Sequence, residues 1–185
     1  KDSPLTMAED RITNSFLSTV LKADVTQFSV ETLNEGLSMG NRVKILHVST
    51  AESETEQIFV LKIVGPDSVQ LSHTLGLARE ALFYNHFAPS LPSQDVPKVI
   101  FAEGDLETGN EIIIMEEISN AVQTGYFFGP GNPMNWGKDI ESRLARAGCG
   151  SVAPESVVES AFHLAARLHS RFWNDARVLC HPWLH

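Results

Sequence analysis

Cysteine is scarce: Cys149 and Cys180 are the only two in 185 residues. They sit in no metal-ligand spacing and are too few to staple a fold, which predicts two free thiols in a reducing compartment. Basic side chains are outnumbered, 14 Lys and Arg against 23 Asp and Glu, for a formal net charge of −9. A polyanion would meet a mostly repulsive field, so nucleic acid is not an expected partner. Long apolar runs are missing as well. The longest, such as 112–115, fall far short of the roughly 20 residues that cross a bilayer. The first residues are charged instead of forming an apolar leader core, so the protein is expected to be soluble and cytoplasmic, with no membrane partner.

What is present suits a folded protein. Hydrophobic residues make up 43% and charged residues 20%, far from the composition of disordered chains. The length predicts one domain, or one and the beginning of another. The chain starts at Lys1 and stops just after Pro182-Trp183-Leu184, and either end is expected to be a cut.

The hydrophobic period changes in an ordered way along the chain. Thr6-Met7-Ala8-Glu9 has the form of a capping box, and Ile12, Phe16, Leu17, Val20 and Leu21 follow at helical spacing. Strand patterns then occupy 27–33, 42–49 and 57–64, joined by a turn over 34–41 and a polar stretch over 50–56, which describes an antiparallel meander. A helix is expected over 74–87, stopped by Pro89 and Pro92, before strands at 97–102 and 111–118 flank a turn at 104–109. A connection rich in Gly, Pro and Asn over 125–137 leads to a short charged segment at 138–146. The last element starts at Pro154 and carries Val157, Ala161, Leu164, Ala165, Leu168 and Phe172 on one face. Nothing of its own size in the chain is expected to cover it. The class is therefore α+β: a five-stranded antiparallel sheet with one inserted helix, then the start of a helical part, divided as 1–118 and 119–185.

Two charges stand in apolar surroundings. Lys62 lies in Ile58-Phe59-Val60-Leu61-Lys62-Ile63-Val64, which reads as a strand buried on both faces. Taking an ammonium out of water there costs several kcal/mol, as a rough general figure, unless an anion lies beside it. Glu80 precedes Phe83 and Phe87 on one stripe of the next helix, and the two charges can satisfy each other. The plainer descriptions are a Lys62 stem that snorkels to water and a surface pair between Glu80 and Arg79. In the 34–41 turn, Gly36, Ser38 and Gly40 alternate, freeing the backbone to point N–H groups at phosphate oxygens. The same glycines also suit a simple hairpin. The spacing imitates a hydrolase nucleophile elbow, but that motif needs a helix after the turn, and a strand follows here.

These segments resemble the kinase fold of the aminoglycoside phosphotransferase, choline kinase and ecdysteroid-kinase-like small-molecule kinases. The resemblance rests on Gly36-Leu37-Ser38-Met39-Gly40, Phe59-Val60-Leu61-Lys62-Ile63 and Arg79-Glu80-Ala81-Leu82-Phe83-Tyr84. It continues through Val96-Pro97-Lys98-Val99, Ile114-Met115-Glu116-Glu117-Ile118 and the run from Leu164 to Trp173. It implies ATP and Mg2+ as cofactors, with a hydroxyl on a small molecule as phosphate acceptor. By the resemblance, Gly36, Ser38 and Gly40 form the nucleotide loop, Lys62 holds the α- and β-phosphates, and Glu80 orients Lys62. Adenine would be read by the backbone C=O of Glu116 and N–H of Ile118, with Met115 lining the pocket behind.

The family's catalytic His-x-Asp-x-x-x-x-Asn loop has no counterpart. No histidine has Asp two positions later, and no Asp follows Asp175. His169 and Asp175 fall in the helix resembling the one before that loop, and His169 is expected to pack or cap there, not to act as a base. No catalytic or metal-binding residue is therefore assigned. The chain is expected to be the ATP-binding part of a kinase whose catalytic Asp and metal ligands lie downstream, inactive by itself. The alternative is a pseudokinase that binds nucleotide or a partner without chemistry. His181 and His185, four apart, suggest a metal clamp only weakly, because Pro182 disfavours a helix there. Tyr126, Phe127, Phe128 and Trp136 either line a cleft or anchor their loop.

Overall fold

The computed structural model describes residues 8–32, 42–118 and 121–184. The chain divides into two compact units, Lys1–Glu117 and Ile118–His185. Among the described residues, no helix is long and apolar enough to cross a membrane.

The first unit is built on a five-stranded antiparallel sheet in the order β1-β2-β3-β5-β4. The strands are β1 (Val25–Thr32), β2 (Val43–Thr50), β3 (Gln57–Ile63), β4 (Val99–Gly104) and β5 (Glu111–Glu116). Each lies within about two residues of its sequence pattern, and with the helices below they make the unit α+β. Alternation sends successive side chains to opposite faces. Leu46 and Val48 of β2, Phe59, Leu61 and Ile63 of β3, and Ile112 and Ile114 of β5 form one buried face. Helix α1 (Asn14–Leu21) covers it with Leu17, Phe16, Val20 and Leu21. The helix begins later than the capping box suggested: the Thr13 hydroxyl accepts from Phe16 N–H at 3.2 Å, while Thr6 lies outside the described residues.

The opposite face carries Ile113 and Met115 of β5, packed with Val60, Val99 and Ala102 against Ala81 and Tyr84. Those last two belong to α3 (Arg79–His86). The helix expected over 74–87 begins five residues later, and a second helix precedes it almost wholly outside that range. Helix α2 (Val69–Leu75) ends at Gly76, whose φ of 61° is left-handed and whose N–H caps the Ser72 and His73 carbonyls. Gly adopts that conformation at little cost, and the chain turns before α3 begins. Helix α3 lies close on β4. A Cβ at Gly104 would stand 2.6 Å from the Ala78 carbonyl oxygen and 2.9 Å from Ala81 Cβ.

In the second unit, short 3-10 turns over Thr124–Gly131 and Pro133–Asn135 lead to α4 (Ile140–Arg146) and then α5 (Pro154–Phe172). No residue of α5 is buried. Along its apolar stripe Val157, Ala165, Leu168 and Phe172 are half-buried, and Ala161 and Leu164 are exposed. His169 is exposed, so it does not pack, and it stands in the last turn of α5. Asp175 does not lie in that helix as expected but past its end, where its carboxylate accepts from Arg177.

Candidate functional site

The expected double burial of β3 is not what forms. Phe59, Leu61 and Ile63 are buried on the α1 side, whereas Ile58 is 40% exposed and Val60 and Lys62 are half-buried on the other. A continuous apolar run fixes the strand without fixing how much of each face is covered. The reason is the reach of α3, which covers the β4–β5 half of its face. Val60 packs at the margin of that covered half, and Val43 and Ile45 lie beyond it; all three are only half-buried.

Lys62 stands at that boundary, opposite Val43 on β2 and Ile113 on β5. Its ammonium donates to Glu80 Oε1 at 2.5 Å, joining β3 to the first turn of α3. The two side chains are 25% and 29% exposed. At such exposure an ion pair contributes about 1 kcal/mol at most, so its value lies mainly in geometry. It fixes an ammonium at the rim of an apolar strip, with one of its three donors occupied by Glu80. Neither plainer description holds, since Lys62 does not simply snorkel and Glu80 reaches across to the strand. One turn on, the Tyr84 phenol interacts with the same carboxylate. Burial first, then the charge and hydrogen bond of Glu80, push its pKa up to about 12.

Two further charges join this pair, and the sequence reading missed them. Arg42 Nη2, at the foot of β2, donates to Glu111 Oε2, at the head of β5. The Glu111 side chain is fully buried and that of Arg42 is 12% exposed. Burial raises the Glu111 pKa, the Arg42 charge opposes that, and both Glu80 and Lys62 lie near enough to contribute. A Glu before three isoleucines was the available signal. Nothing in the sequence pointed from it to Arg42, 69 positions away.

The other expected residues fall as follows. Met115 is buried on the α3 side, two positions from Ile113. Glu116 closes β5, and its side chain pairs with Lys98 Nζ at 2.5 Å in an exposed position. Ile118 is the first residue of the second unit and is 63% exposed. Gly36, Ser38 and Gly40 lie outside the described residues, as does His185. No cluster of three or more His, Cys, Asp or Glu suited to a metal occurs among the described residues.

Within the second unit, Tyr126, Phe127, Trp136, Lys138, Asp139 and Glu141 help line a cavity of about 650 Å3. Tyr126 is buried and its hydroxyl accepts from Arg143 Nη1 at 3.1 Å. Trp136 is 70% exposed, with its indole N–H donating to the Pro130 carbonyl. The aromatics therefore divide, with Tyr126 anchoring its loop and Trp136 standing open at the cavity wall.

In comparisons with known proteins, no family model, no curated protein and no solved structure matches the chain.

Proposed function

We propose that this chain is the nucleotide-binding part of a cytoplasmic, ATP-dependent small-molecule kinase with a protein-kinase-like fold. The first unit is its smaller lobe and the second begins the helical lobe. The complete enzyme transfers the γ-phosphoryl group to a hydroxyl of a small molecule, with Mg2+ as its metal. The observation that carries this reading is the Lys62–Glu80 pair at the edge of the half-open apolar strip.

A nucleotide needs a flat apolar surface for its base and a fixed cation for its phosphates, and Val43, Ile45, Val60 and Lys62 offer both on one sheet face. Lys62 neutralises phosphate charge, while Glu80 holds the ammonium in place so that little side-chain freedom is lost on binding. Met115 packs behind the strip. Nucleotide binding and phosphate positioning are the roles proposed for this chain's residues, with the metal ligands expected downstream. The free thiols of Cys149 and Cys180 suit a reducing compartment.

Thermal unfolding with and without ADP tests the reading. Ligand that binds the folded state raises its stability, by about 2.7 kcal/mol at a concentration 100 times Kd. ADP is expected to raise the unfolding temperature of the wild type, and Lys62→Ala is expected to lose most of that rise. An unchanged wild-type transition at millimolar ADP overturns the reading.

A further inference from the structure

The apolar strip and its ammonium are only part of this region, because a second acid on the same sheet face, Glu111, and a second base at the strand end, Arg42, lie beside them. On β5, Glu111 precedes Ile113 by two residues, and Ile113 stands opposite Lys62. Glu111 is therefore a same-face diagonal neighbour of Lys62, about 7–8 Å away between backbone positions in the general geometry of such pairs. Lys62 thus has two carboxylates in reach, Glu80 above it on α3 and Glu111 beside it on the sheet.

Electrostatics alone favours the wrong one. Glu111 is fully buried while Glu80 is 29% exposed, and a cation is attracted more strongly by the less solvated charge. Glu111 Oε1 is buried with no hydrogen-bond partner, so it has an acceptor to offer a second donor. What occupies Glu111 is Arg42, which reaches past the end of β3 from the foot of β2. Its backbone is fixed there as well, since the Arg42 carbonyl accepts from Ile63 N–H at 2.9 Å. A guanidinium keeps its charge under all ordinary conditions and presents a rigid fork.

We propose that Arg42 is a positioning residue: by holding the Glu111 carboxylate it leaves the Lys62 ammonium to Glu80. The functional consequence rests on the nucleotide reading above; the pairing itself does not. Without Arg42, Lys62 turns toward Glu111 and away from the place where phosphates are to be met.

The test follows the Lys62 ammonium by heteronuclear NMR in the wild type, Arg42→Met, and Arg42→Met with Glu111→Gln. The ammonium signal is expected to move in the single variant and to return in the double variant, whose neutral amide no longer competes. Should Arg42→Met fail to fold, Arg42→Lys keeps the charge without the fork and is expected to give a smaller displacement in the same direction. A signal that stays put in the single variant, or that moves and is not restored by Glu111→Gln, overturns the proposal.

Calorimetry with ADP and adenosine supplies the functional arm. Arg42→Met is expected to weaken ADP binding about tenfold, equivalent to ~1.4 kcal/mol, and to leave adenosine unaffected, because only ADP engages the ammonium. A purely structural role for Arg42 would weaken both ligands alike, and that result counts against the proposal. A wild type that binds neither ligand overturns the nucleotide reading, and the ammonium series still decides the pairing.

Discussion

At the scale of single residues, Tyr84 is a built-in reporter of the Lys62–Glu80 pair. Its phenol is raised to about 12 by burial first and by Glu80 second. The chain has only two tyrosines, so Tyr126→Phe leaves one phenol to follow by ultraviolet absorbance. In that background Tyr84 is expected to ionise near 12, and Glu80→Gln is expected to bring the midpoint part of the way back toward 10 without reaching it. The remaining displacement comes from burial and from the Glu111 charge, and an unmoved midpoint would separate Tyr84 from the Glu80 charge. The Lys62–Glu80 pair was legible in the sequence because each charge stood where an apolar side chain was due. Arg42 and Glu111 were not, since both sit at strand ends, where a charged residue is ordinary and periodicity carries no information. The physical difference is that burial at a strand end is decided by what folds over it.

At the scale of elements, the strands were legible because short apolar or alternating runs bounded by turn residues leave little choice but a strand. The helical segment between β3 and β4 was not, because Gly76 interrupts a run whose apolar spacing continues on either side. The glycine lets the chain reverse, so α2 and α3 take separate paths. The placement of α3 depends on another small residue. At Gly104 the helix backbone approaches so closely that a methyl group would overlap the Ala78 carbonyl oxygen. Gly104→Ala is therefore expected to push α3 off the sheet and destabilise the protein by roughly 1–3 kcal/mol, read as a lower midpoint in urea. It should also weaken any ligand that depends on Lys62, because Glu80 rides on the displaced helix. A variant as stable as wild type would show that the helix does not rest on β4 as tightly as its packing indicates.

At the scale of the whole molecule, the strand order was beyond what the sequence could supply. The first three strand patterns describe a meander, but nothing in the spacing says where the last two join it, and β5 inserts between β3 and β4. That order has a consequence for how the chain assembles. Strands β1, β2 and β3 form a local hairpin series that can pair early, but the outer rim of β3 stays open until the much later β5 arrives. During that interval the nascent sheet exposes Ile-Phe-Val-Leu-Lys-Ile, a ready template for pairing with another copy. Lys62 is the one charge in that stretch, and it acts as a gatekeeper before it has any partner on α3. On rapid dilution from denaturant, Lys62→Met is expected to scatter more light and recover less native protein than Glu80→Gln, which loses the same ion pair but keeps the cation on the strand. The same ammonium is thus expected to guard the unpaired rim of β3 during refolding and, in the closed sheet, to stand beside Glu80.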